Sequence, residues 1–230
     1  MDNNLDQHTH HRFDEELKGL KSRVLEMGGL AERQIEDAIK ALIEGDSDLA
    51  EEVRGREKSI NKMEVDADEE AARFIAMRQP AASDLRLVLV VSKTVRDLER
   101  ACDEAKKIAK LAIQSAEDGA SPKGYIEIRH IGATVREMVR EALDAFVRVD
   151  TDAALAVVNR DKEVDQEYRS ATRQLITYMM EDPRSISRVL NVMWALRSLE
   201  RIGDHASNIA EYVFYLNDGA DRRHSGLGKS

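Results

Sequence analysis

Proline is nearly absent, with 3 in 230 residues, and the chain has only 12 glycines and 4% aromatic side chains. Helix breakers and sheet-favouring side chains are thus both scarce, which places the chain at the helix-rich end of protein composition. Cysteine is present once, as Cys102. No internal disulfide can form, and a single thiol inside a helical pattern reads as a small core side chain rather than a nucleophile. Long apolar runs are missing as well: nothing approaches the ~20 residues needed to cross a bilayer, so direct membrane insertion is not expected. The amino-terminal stretch MDNNLDQHTHHRF lacks the basic start and apolar core of a secretory signal, and a cytoplasmic location is expected. Positive charge is not in surplus either. With 44 acidic against 35 basic residues the formal charge is -9, and no basic cluster stands out along the sequence. Nucleic acid and anionic lipid are therefore not expected partners.

What the chain does contain is 42% hydrophobic and 34% charged residues, enough for real cores beneath charged surfaces. Breaks in the helical pattern are few. They leave six segments, at about 14–44, 48–78, 83–116, 125–148, 152–180 and 183–216. Helices near 30 residues are long for a globular protein and are stable when packed lengthwise in bundles. The expected fold is all-α: six long antiparallel helices in two tandem, similar three-helix bundles, at 13–117 and 125–217. A disordered tail (1–12) and a flexible tail (218–230) flank them. Asp48 with Glu51 has capping-box spacing, and Asp182 before Pro183 suits an N-cap with proline in the first turn. In the last segment Ala195, Leu199, Ile202, Ala206, Ile209 and Val213 recur at spacings of four and three, the pattern of a core-facing stripe.

An internal repeat supports two equivalent units. At a shift of 101, Arg96, Leu98, Glu99, Arg100, Asp103, Ala105, Ile108 and Ala109 are identical to Arg197, Leu199, Glu200, Arg201, Asp204, Ala206, Ile209 and Ala210, which is eight of the sixteen positions from 95 to 110. At a shift of 104, Ala38, Ala41, Asp46, Ala50, Val53, Arg56 and Lys58 match Ala142, Ala145, Asp150, Ala154, Val157, Arg160 and Lys162. Each half is one three-helix unit. The turn-rich stretch 117–124 is the natural joint between them.

Within the repeat, Glu99 and Asp103 lie four apart, as do Glu200 and Asp204, so each pair projects from one side of its helix. In the second segment of each half, Glu57 with Asn61 and Asp161 with Asp165 keep the same spacing. Antiparallel packing can bring these opposite the first pairs and form a small cage of oxygen ligands, as carboxylate metal sites are built in bundles. Acid pairs four apart are common on solvated helices, but recurrence at equivalent positions in both halves favours a working pair. Such donors suit iron, magnesium, manganese or zinc. No Glu-x-x-His signature completes either cage, which weakens an oxidase or hydrolase reading. His205 follows Asp204 directly and so points about 100° away around the helix. Arg100 and Arg201 read more simply as partners of neighbouring carboxylates than as phosphate ligands, since no glycine-rich phosphate loop accompanies them.

The run Met-Arg-Gln-Pro-Ala-Ala-Ser-Asp-Leu-Arg at 77–86, followed by Leu-Glu-Arg-Ala-Cys-Asp at 98–103 and Leu-Glu-Arg-Ile-Gly-Asp-His-Ala-Ser-Asn-Ile-Ala-Glu at 199–211, resembles the PhoU family of phosphate-transport accessory proteins. The likeness spans about 13–216. It implies two similar three-helix bundles in the cytoplasm, with metal held in some members by Glu/Asp-x-x-x-Asp motifs. The positions that match here are Glu99, Asp103, Glu200, Asp204, Asp161 and Asp165, with Glu57 beside them. The implied role is a non-enzymatic one. It is negative regulation of the phosphate-starvation response and modulation of phosphate uptake, with the chain, as a homodimer, linking the ATPase subunit of the phosphate ABC transporter to its sensor histidine kinase. The alternative is a metal-dependent helical-bundle hydrolase or redox enzyme. Two departures stand in the first half: Cys102 replaces the glycine seen at Gly203, and Asn61 stands where Asp165 supplies a carboxylate. Weaker metal binding is expected there.

Overall fold

Helix-favouring composition yields helix throughout: the computed structural model describes residues 3–117 and 126–219, and every regular element among them is helical. The order is α1 (Asn3–Glu44), α2 (Ser47–Gly55), α3 (Glu57–Arg78), α4 (Ala82–Glu117), α5 (Ile126–Arg148), α6 (Thr151–Glu181), a 3-10 turn (Pro183–Ser185) and α7 (Ile186–Asp218). The first bundle comprises α1 to α4, the second α5 to α7. Helices α1, α4, α7 and α5 pack side by side as a central group, α3 lies against α1 and α4, and α6 lies against α5 and α7. One continuous apolar core runs through both bundles. Ala195, Leu199, Ile202, Ala206, Ile209 and Val213 are all buried in it, as the stripe requires, and so is Cys102.

The repeat is visible in the local devices that start and hold the helices. Asp46 caps α2, its Oδ1 accepting from Leu49 N at 2.9 Å. Its counterpart Asp150 caps α6, Oδ1 accepting from Asp152 N and Ala153 N at 3.1 and 3.0 Å. Arg56 pairs with Asp37 at 2.7 Å, and the equivalent Arg160 with Glu141 at 2.9 Å, so each outer helix is pinned to the first helix of its unit. The bundles meet through a reciprocal close approach of α1 and α5. A Cβ on Gly132 would stand 2.6 Å from Ile39 Cδ1, and one on the equivalent Gly28 closer still to Leu143, the counterpart of Ile39. Each glycine is a hole for the other unit's branched side chain.

Several expected boundaries differ. The segment 48–78 is two helices, because Gly55 weakens the helix by about 1 kcal/mol relative to alanine and the chain turns at Arg56. Gln34 sustains the break, its Nε2 donating to Val53 O at 2.8 Å from a buried position. In the second half Asn159 and Met138 stand at those places, and α6 runs unbroken. The start of the second segment is capped by Asp46 rather than Asp48, which lies in the first turn. Residues 3–12, expected as a disordered tail, continue α1 as helix. Asp182 does cap, Oδ1 accepting from Arg184 N at 3.2 Å, but Pro183 opens the 3-10 turn and α7 begins only at Ile186. The joint at 117–124 lies outside the described residues except for Glu117, as does the tail beyond Gly219.

Candidate functional site

The two acid clusters can be compared position by position, and they differ. In the second half α7 carries Glu200 and Asp204 one turn apart, and α6 carries Asp161 and Asp165. Gly203 lets these helices close up: a Cβ there would lie 3.1 Å from Asp161 Oδ1, so the missing side chain leaves room for the carboxyl. Asp161 is hydrogen-bonded by Ser207, while the charges around it, Asp204, Asp165 and Glu200, are all negative. Burial and then these like charges push its carboxyl up to about 7. Glu200 is raised by burial and by Asp204, against the lowering effect of Arg197, whose Nη1 lies 2.5 Å from Oε1. Its other oxygen, Oε2, is buried with no hydrogen-bond partner on a residue only 8% exposed. Asp204 stands at the mouth of the cluster and is raised by partial loss of water and by Asp165. Asp165 lies beside it, within 3.3 Å of Arg169.

In the first half a lysine sits among the acids. Lys106 Nζ lies 2.5 Å from Glu57 Oε1 and 3.5 Å from Asp103 Oδ1, bridging α3 and α4. Its counterpart in the second half is Ser207, and Cys102 occupies the place of Gly203. The Cys102 thiol is pushed up to about 12 by burial and by Glu99 and Asp103, so it stays neutral. Glu99 is half-buried, and burial, Asp103 and Glu64 raise it. Asn61 is exposed. Glu64 was not singled out by sequence reasoning. Its counterpart is Tyr168, so the repeat gave no signal for it.

Among the described residues no three His, Cys, Asp or Glu side chains stand in a metal-holding arrangement as they are. The donor chemistry of the two clusters nonetheless differs. Four carboxylates, three of them (Asp161, Glu200 and Asp204) with raised pKa values, and an orphaned buried oxygen suit a hard or borderline cation after side-chain rotation. In the first half an ammonium already holds two of the acids.

His205 belongs to neither cluster. It points across the seam between α4 and α7, where its Nδ1 lies 2.8 Å from Asp97 Oδ1; the same oxygen accepts from Asn208 Nδ2 at 3.2 Å, and Oδ2 accepts from Tyr212 OH at 2.7 Å. This buried network ties the two units together. Sequence reasoning missed Asp97, because its counterpart is Ser198 and the repeat masked it. Arg201 does pair with a carboxylate, the buried Glu104 of α4 at 3.0 Å.

The PhoU domain model matches the chain twice, over residues 24–112 and 128–213. A phosphate-specific transport system accessory protein PhoU homolog of Pseudomonas aeruginosa is 60% identical over 97% of this chain and 94% of its own length. The phosphate-specific transport system accessory protein PhoU of Escherichia coli is 46% identical, over 97% of this chain and 92% of its own. Among solved structures, PhoU from Pseudomonas aeruginosa superimposes with a TM-score of 0.88 at 60% identity, covering 90% of this chain and 100% of that one. The phosphate transport system regulatory protein PhoU from Streptococcus pneumoniae reaches 0.84 at 29% identity, covering 90% and 98%.

Proposed function

The chain belongs to the PhoU family, and from that membership we propose that it restrains the phosphate-starvation response and tunes phosphate uptake. It does so as a cytoplasmic adaptor between the ATPase subunit of the phosphate ABC transporter and the sensor histidine kinase of the same pathway. The observation that carries this reading is 60% identity, across nearly the whole of both chains, to a protein named as an accessory of phosphate-specific transport. The architecture suits the role: long helices packed into one continuous core present rigid, charged faces, and rigid surfaces lose little freedom on docking. No helix among the described residues is long and apolar enough to cross a membrane, so contact with the transporter runs through protein surfaces.

Within this role the second-half cluster holds a cation. Asp161 and Asp165 from α6, with Glu200 and Asp204 from α7, are the residues that would hold it. Bound there, a cation would relieve the repulsion among the four acids and join α6 to α7. In the first half Lys106 does the corresponding work with its own charge. The enzyme alternative gains no support from these residues beyond their acidity.

Affinity capture with the full chain from cells grown at high and low phosphate tests the adaptor. Recovery of the transporter ATPase subunit and the kinase is expected. Failure to recover either at both phosphate levels removes the claim, as does unchanged expression of starvation genes after deletion of the gene. The enzyme alternative requires a turnover that Glu200→Ala abolishes.

A further inference from the structure

The seam between α4 and α7 has two sides related by the internal repeat, and one of them is open. On the closed side Tyr212 and Tyr215 lie under Lys93, whose Nζ is 5.6 and 5.4 Å from their ring centroids, next to the network of Asp97. The equivalent positions on the other side carry Leu111, Gln114 and Trp194, and a cavity of about 340 Å³ takes the place of the two rings. Charge changes together with shape. Asn208 and Glu211 on the closed side become Lys107 and Lys110 on the open one, where Arg197 and Arg201 complete the lining.

Against these four cations stand two acids. Glu104 accepts from Lys107 at 2.8 Å and pairs with Arg201 at 3.0 Å, and Glu200 pairs with Arg197. Four minus two leaves two positive charges in a chain whose net charge is -9. We propose that this cavity binds a phosphate-bearing small molecule, its phosphate between Lys107, Lys110 and Arg201 and any attached ring against Trp194.

The two excess charges match a phosphate dianion. Because Glu104 is buried and holds both Lys107 and Arg201, their head groups are already placed, and less side-chain freedom is lost when the anion arrives. Trp194 is 60% exposed at the edge of the same cavity, an open aromatic face on which a base can stack. The volume lies at the lower end of small-molecule sites, which run from about 300 Å³ upwards, and so admits a mononucleotide rather than a larger ligand. This site does not rest on the adaptor role, and it borders the acid cluster of the second half, since Arg197 of its lining pairs with Glu200.

Trp194 is the sole tryptophan of the chain, so its fluorescence reports on the cavity directly. The full chain is titrated with AMP, inorganic phosphate and adenosine, with calorimetry in parallel. AMP is expected to bind saturably, phosphate about tenfold more weakly, and adenosine not at all. Lys110→Glu, at an exposed position, is expected to weaken AMP binding by about tenfold or more at an unchanged melting temperature. Lys93→Glu on the closed side is expected to leave it unaltered. Equal affinity for AMP and phosphate supports the site with inorganic phosphate as its ligand. No saturable response to either anion, or wild-type affinity in Lys110→Glu, overturns the proposal.

Discussion

The two halves share a fold, caps and pinning ion pairs, yet at matched positions they solve the problem of crowded acids in opposite ways. In the first half Lys106 brings a permanent positive charge among Glu57, Glu99 and Asp103, and the Cys102 side chain fills the space beside it. In the second half Ser207 and Gly203 replace them, Asp161 moves in against the backbone of α7, and four carboxylates face one another without a central cation. A duplicated frame can thus give one copy a lysine among its acids and leave the other with arginines only beside them, Arg197 on Glu200 and Arg169 on Asp165. The seam shows the same divergence: one side is closed by a buried network, and the other is an open, basic cavity.

The largest effect is expected where the two sides of the seam are compared by deletion. Asp97→Ala leaves His205 and Tyr212 buried without their acceptor and should lower stability by about 3 kcal/mol. Glu104→Ala frees Lys107 and Arg201, which reach water, and should cost about 1 kcal/mol. Chemical denaturation of both variants checks the order, and equal losses would mean that the closed side is not the stronger tie.

A second comparison turns on pH. Asp161 stands at about 7 in the folded protein against an ordinary 3.8, so between those values the native chain holds a proton that the unfolded chain has released. Stability contributed by this group is therefore present at low pH and is lost as pH rises through the window. In chelator-treated protein Asp161→Asn should raise stability at pH 8 by about 2 kcal/mol, discounted for solvent screening, and the gain should vanish near pH 4. Glu57→Gln removes the bond to Lys106 instead, and should lower stability by under about 1 kcal/mol at pH 8. Opposite signs for the two variants are the diagnostic.

Transplanting the first-half residues sharpens the same contrast. Gly203→Cys with Ser207→Lys should remove any rise in melting temperature produced by a divalent cation, since the ammonium then occupies the cluster and the new Cβ crowds Asp161. The smallest effect concerns Cys102. Its thiol, held at about 12, should resist alkylation in the native protein at pH 8 and react at the ordinary rate once denaturant exposes it, as a timed thiol assay would show.

Sequence revealed most where the signal is local or repeated. The stripe from Ala195 to Val213 and the pairs Glu99/Asp103 and Glu200/Asp204 follow from helical spacing alone, and aligning the chain with itself reveals the two units. What it hid depends on contacts between distant segments. The break at Arg56 needs Gln34, nineteen positions before Val53, to donate to the Val53 carbonyl that the break leaves free. Lys106 reads as one more surface lysine until α3 brings Glu57 to it. Asp46 and Asp48 lie in the same turn, and only the backbone direction selects the cap. The basic cavity was invisible because its cations come in two pairs some ninety residues apart, each diluted by acids along the chain.

The central claim, that only the second copy of the cluster is left open to a cation, is tested most directly by counting Mn²⁺ ions bound per chain in equilibrium dialysis. One ion is predicted for the wild type, lost in Asp161→Asn/Asp204→Asn and kept in Glu57→Gln/Asp103→Asn. Two equivalent ions, none at all, or loss on the first-half substitutions would contradict it.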